Sequence, residues 1–87
     1  MASPRPDRLR YLGANILRLR RRRGWTQEKL AERAGLDARY LRILESPKAN
    51  PRAAVLLAVA DALDVSLGPL FRPTKLPKRE PGRPSGR

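Results

Sequence analysis

Three side chains in this 87-residue chain combine recognition chemistry with a telling position: Arg39, Arg42 and Ile43, in the stretch DARYLRILE. Leu41 and Leu44 repeat there at i, i+3 and fix the buried direction of a short helix over about 38–45. At 100° per residue, Arg39 and Ile43 stand one turn apart and point almost directly away from that direction, with Arg42 beside them and Tyr40 on the opposite flank. An outward isoleucine next to an outward arginine is odd on a solvated face. It suits a DNA major groove, where arginine pairs bidentately with guanine O6 and N7 and an aliphatic side chain packs on a thymine methyl. The alternative is a somewhat rotated helix with Ile43 in the core. Catalysis has little to work with. The chain has no histidine and no cysteine, which removes imidazole bases, thiol nucleophiles, disulfides and the usual zinc ligands together. The reading is a non-enzyme with no catalytic residue, no metal and no cofactor.

The charge is uneven along the chain. The formal net charge is +12; residues 1–25 carry +7, residues 26–71 are balanced, and residues 72–87 carry +5. Basic ends around a neutral middle imply a polyanionic partner, nucleic acid or an anionic membrane surface, because neutralising phosphates releases counterions. A chain of this length supports one core, burying only about 60% of the surface its unfolded form exposes. No apolar run suits a membrane span, and MASPRPDRLR lacks the apolar region of a signal peptide, so a cytoplasmic location is expected.

The elements that must position the third helix are legible from periodicity and caps. Leu9, Leu12, Ile16 and Leu19 draw one apolar stripe on a first helix over about 9–23, stopped by Gly24. Thr26 caps a second helix over about 27–34, with Glu28 in its first turn and Gly35 as a left-handed stop. Asp37 caps the third helix after a very short turn. Asn50 followed by Pro51 predicts the start of a fourth helix over about 51–63, apolar nearly all round, and Ser66 is expected to cap a short fifth one in LGPLF. From Arg72 onward, four prolines, two glycines and no aromatic residue predict a disordered basic tail over 72–87; residues 1–8 are read as a flexible arm.

Two short helices joined at Gly35, apolar on their inner sides, form the pattern of a DNA-binding helix-turn-helix. As one string, LRRRRGWTQEKLAERAGLDARYLRILESPKANP followed by LLAVADALDVSLGPLF, the chain resembles the Cro/repressor-type (XRE-like) helix-turn-helix family over about 9–71. The matching pieces are RGWTQEKLAERAGL, YLRILE, the Asn-Pro before the fourth helix, and ALDVSLGPLF. The resemblance implies an all-α, five-helix lambda-repressor-like domain that binds double-stranded DNA sequence-specifically. It places base contacts on Ala38, Arg39 and Ile43, to which the helical angles add Arg42. It places a phosphate contact on Gln27, which would also brace the third helix, and further phosphate contacts on Tyr40, Lys48 and Arg52; the alternative for each is a solvated surface role. Position 43 is commonly polar in relatives. Pro47 stands where they usually carry glycine, and since proline can neither adopt positive φ nor donate an N–H, the loop at 46–50 is expected to take its own shape.

Four consecutive arginines at 20–23 sweep about 300° of a helix and cannot share one partner. Arg20 borders the buried stripe and needs a carboxylate, for which Glu45 is the candidate; in the resembled family an arginine here pairs with the glutamate closing the third helix. Arg21, Arg22 and Arg23 sit in the last turn of the first helix, where its dipole favours cations. On the fourth helix, Leu56, Val59, Ala60 and Leu63 finish the core, leaving Val55, Leu57 and Ala58 as candidates for an interface. The leading expectation is a transcriptional regulator, a repressor, binding a palindromic operator as a homodimer and therefore nucleoid-associated, with the two reading helices about 34 Å apart. The competing one is an antitoxin-type interaction module that neutralises a toxin partner and autoregulates its operon. A scaffold whose basic ends bind RNA or membrane without specificity is a third. No small-molecule ligand and no sensor domain are expected.

Overall fold

The computed structural model describes residues 8–76. Four α-helices, α1 (Leu9–Arg22), α2 (Gln27–Ala34), α3 (Ala38–Leu44) and α4 (Ala53–Leu63), are followed by a 3₁₀ turn over Gly68–Phe71, and no strand occurs among the described residues. The five-helix expectation thus resolves into four α-helices and one 3₁₀ turn. Most of the 1–8 arm and residues 77–87 of the expected tail lie outside the described residues.

Caps at both ends explain why such short helices form. Thr26 Oγ1 accepts the Lys29 N–H at 3.0 Å and opens α2; Asp37 Oδ1 accepts the Arg39 N–H at 3.0 Å and opens α3. Three helices close on one device, a left-handed residue with two reversed backbone hydrogen bonds. At α1, Gly24 (φ 71°) lets Trp25 N donate to the Arg20 carbonyl at 3.1 Å; at α2, Gly35 (φ 72°) lets Leu36 N donate to the Ala31 carbonyl at 2.8 Å. At α4 the same geometry falls on Asp64 (φ 58°), with Val65 N donating to the Ala60 carbonyl at 2.9 Å. Each closure turns the chain back toward the core.

The core takes Leu12 and Ile16 from α1, Leu30 and Ala31 from α2, Leu41 and Leu44 from α3, Val59, Ala60 and Leu63 from α4, together with Ala49 and Leu70. Leu9, Leu19 and Leu56 are only partly buried and pack at its edge. The buried side of α1 is instead completed by Gly13, Asn15 and Arg20. Gly13 is a close approach: a Cβ there would meet the backbone carbonyl carbon and oxygen of Glu45 at 2.6 Å each. That fit lets the end of α3 lie directly on α1.

Several expectations are corrected. The fourth helix does not begin at Asn50–Pro51; Arg52, extended at ψ 159°, precedes Ala53, and no side chain caps it. The physical reason is Ala49, which is buried in the core and holds the preceding loop down, so the chain runs extended past Pro51 before it can coil. Ser66 does not cap the last element either: Leu67 (φ −68°, ψ −32°) precedes it without a side-chain cap, and the Leu70 N–H reaches the Leu67 carbonyl, the short i to i−3 bond that a four-residue turn containing Pro69 can make. The third helix ends at Leu44, with Glu45 as its C-cap. Val55, one of the interface candidates, is half-buried and packs part of its side chain against the core. Residues 72–76, assigned to the tail, are held against α1. Asn15, fully buried, donates from Nδ2 to the carbonyls of Leu70 at 3.0 Å and Arg72 at 2.9 Å, while its Oδ1 accepts from Arg18 at 3.0 Å.

Candidate nucleic-acid interface

Seven residues are too few for a helix to persist alone, since isolated helices below about 12–15 residues are marginal in water. α3 is therefore defined by what grips its two ends. At the N-terminus stand the Asp37 cap and the Gly35 turn. At the C-terminus, Glu45 is held by a fork: Arg20 Nε lies 2.7 Å from Oε2 and Arg20 Nη2 lies 3.0 Å from Oε1, with both side chains nearly buried. Gln27 Nε2 adds a third donor to Glu45 Oε1 at 2.9 Å, and Arg20 Nη1 donates to the Trp25 carbonyl at 2.9 Å. Both carboxylate oxygens and all three of the guanidinium's nitrogens are thus engaged, which is the condition under which a nearly buried charge pair is tolerated. The result ties α1, the turn before α2, the first residue of α2 and the end of α3 into one rigid corner.

That corner fixes what α3 presents. Leu41 and Leu44 are buried, whereas Arg39, Arg42 and Ile43 are exposed, Ile43 by 54%. The rotated alternative, with Ile43 in the core, is excluded by this geometry. Ala38 and Tyr40 are half-buried and pack on the core from the flanks. Lys48 and Arg52 are exposed on the loop and at the start of α4. No residue of the 46–50 loop adopts positive φ; the Ser46 hydroxyl accepts the Lys48 N–H at 3.3 Å and the Ser46 carbonyl accepts the Ala49 N–H at 3.3 Å, a turn that Pro47 fits. On α4, Leu57 is 50% exposed and Ala58 half-buried, with Leu67 also exposed beyond the helix.

The remaining arginines divide by the groups they touch. Arg23 reaches across to α4 and donates to the carbonyl of Leu63, one of the last unpaired carbonyls of that helix. Its guanidinium lies 5.3 Å from the Trp25 ring centre and that of Arg33 lies 5.2 Å from it, two cation–π interactions on one indole. The expectation from sequence, a dipole-favoured cation at the end of its own helix, does not anticipate this reach of Arg23 to α4. Asn15, Gly13 and the Trp25 cluster were missed as well; an asparagine beside Ile16 on an apolar stripe and a lone tryptophan among arginines were the available signals. An open groove of about 570 Å³ runs along the outer side of α1 against residues 74–76, where Arg18, Arg21, Arg22 and Lys75 surround Leu17 and Leu76. Among the described residues no helix is long and apolar enough to cross a membrane, and no cluster of three or more metal-ligating side chains occurs.

A short helix with an exposed, guanidinium-bearing face, braced behind a capped partner helix across a glycine turn, defines the class of helix-turn-helix DNA-binding domains. The family model described as helix-turn-helix matches residues 16–70. The chain belongs to the Cro/repressor-type (XRE-like) helix-turn-helix family of non-enzymatic transcriptional regulators. It is 41% identical over 68 residues to an uncharacterised HTH-type transcriptional regulator of Sinorhizobium fredii, covering 78% of this chain and 88% of that one. It is 36% identical over 69 residues to the immunity repressor of Bacillus phage phi105, covering 79% of this chain but only 48% of the repressor. Among solved structures, it is similar to the restriction-modification controller protein C.AhdI of Aeromonas hydrophila, with a TM-score of 0.68, 35% identity, and coverage of 72% of this chain and 96% of the controller.

Proposed function

We propose that the protein is a sequence-specific repressor that binds a palindromic operator in double-stranded DNA as a homodimer, with α3 in the major groove. The observation that carries this reading is the exposed Arg39, Arg42, Ile43 face on a helix whose end is immobilised by the Arg20, Glu45 and Gln27 corner. Preorganisation of that kind lowers the ordering cost of binding. Arg39 and Arg42 supply forks for guanine, Ile43 and Ala38 supply apolar contact. Phosphates are met by Lys48, by Arg52 beside the uncapped start of α4, whose first amides suit an anion, and by Tyr40 and the N-terminal end of α2 near Gln27. The exposed Leu57 and Leu67, with Ala58 beside them, supply apolar surface for a second copy across a two-fold axis. The repressor role is supported by the phage immunity repressor among the relatives. The site of action under this reading is the nucleoid in the cytoplasm.

Selection from a random duplex library at fixed salt tests the reading. The expected result is an enriched palindrome with half-sites one helical turn, about 34 Å, apart. An unenriched pool, or an asymmetric single site bound by a monomer, overturns it.

A further inference from the structure

The outward side of α3 carries a narrow set of recognition groups. Arg39 and Arg42 offer only donors, and Ala38 and Ile43 only hydrocarbon. The carboxylate that opens the helix, on Asp37, accepts the Arg39 N–H. The nearby amide of Gln27 has its nitrogen committed to Glu45. Adenine is ordinarily read by an amide that both donates and accepts, and cytosine by an acceptor for its N4 amine. None of the four side chains Ala38, Arg39, Arg42 and Ile43 supplies either group. What is left is guanine, read by the forks, and a methyl on C5 of a pyrimidine, read by Ile43.

We propose that α3 reads the C5 methyl without regard to the base that carries it, so that methylation of a cytosine facing Ile43 raises affinity for the operator. The inference rests on the major-groove placement proposed above. Thymine and 5-methylcytosine carry the methyl on the same ring carbon at the same edge of the groove; they differ in showing an acceptor at O4 or a donor at N4. A sec-butyl side chain has no polar atom with which to register that difference. Ile43 is also half-seated already, at 54% exposure, and β-branched, so its orientation costs little to fix on binding. Shielding one methyl from water corresponds to about a fourfold gain in affinity.

The test uses the full chain and duplexes of the selected operator at one salt concentration. Each thymine of a half-site is replaced in turn by deoxyuridine, which removes only the methyl. One position is expected at which wild type loses about fourfold while Ile43→Ala, folded by circular dichroism, loses nothing. At that position, a 5-methylcytosine–guanine pair is expected to bind wild type about fourfold more tightly than a cytosine–guanine pair, and Ile43→Ala to bind both alike. Selective operator binding with no deoxyuridine-sensitive position, or with equal affinity for the cytosine and 5-methylcytosine duplexes, overturns the inference and leaves the repressor reading intact. Failure to prefer the operator over a scrambled duplex overturns both.

Discussion

Arg20 and Arg39 have the same side chain, but the surroundings bury one against Glu45 as a brace and leave the other exposed, as the reader proposed above. Arg20 is nearly buried with its fork on Glu45, so replacing it with methionine leaves a carboxylate with only the Gln27 amide for company. Arg20→Met is expected to lower unfolding free energy by about 3 kcal/mol in urea titration, with Arg20→Met/Glu45→Met recovering much of the loss because no charge is then stranded. Equal stability of the single variant and wild type would show that the fork contributes nothing. Arg39 is exposed, and its removal leaves no buried group unpaired. Arg39→Ala is therefore expected to keep wild-type stability and to relax one base position of the operator at about 1–3 kcal/mol, as read by competition binding against single-base variants. An unchanged consensus and affinity would assign the reading to another face. The Arg20–Glu45 geometry was legible in the sequence because a charged residue on the edge of an apolar stripe demands a partner. Asn15 was not, because its partners are backbone carbonyls 55 and 57 residues away that no side-chain pattern announces.

Helix positions were legible where a cap residue and a hydrophobic period agreed, as at Thr26, Asp37 and Gly35, and were not where tertiary burial overrode a local signal. Asn50–Pro51 is a good start signal in isolation, yet buried Ala49 delays α4 to Ala53. Gly13 illustrates the opposite failure. A glycine inside a helical period normally weakens the helix by about 1 kcal/mol relative to alanine, and the sequence alone offers no reason to accept that. The reason is α3: the Glu45 carbonyl occupies the space where a Cβ would stand, and backbone cannot swing aside as a side chain can. Gly13→Ala is thus expected to destabilise the fold by about 1–3 kcal/mol despite its better helix propensity, and to weaken operator binding further by displacing the end of α3. A thermal midpoint raised by this substitution would show that α1 and α3 do not pack intimately.

At the scale of the whole molecule, the proposed mode of DNA binding depends on two surfaces. Leu57 is half-exposed, so Leu57→Asp is expected to leave the monomer folded, to halve the mass seen by light scattering, and to abolish cooperative occupation of the two half-sites. A dimer that survives the change would place the two-fold axis elsewhere. The second surface is electrostatic. The balanced middle of the chain contributes no excess charge, so long-range attraction to DNA must come from the ends. Asn15 holds Arg72 to α1, and residues 74–76 line the groove beside it, so a truncation meant to remove charge without disturbing the fold has to begin at Pro77. Residues 77–87 carry Lys78, Arg79, Arg83 and Arg87 against Glu80. Their removal is expected to lower affinity for operator and scrambled duplexes by the same factor. It is also expected to flatten the plot of log affinity against log salt by about 0.9 for each phosphate that the shortened chain leaves to its counterions. A fall in operator affinity alone would mean that the segment reads sequence; an unchanged slope would mean that its cations never reach the phosphates, and that the arginines of α1 supply the attraction by themselves.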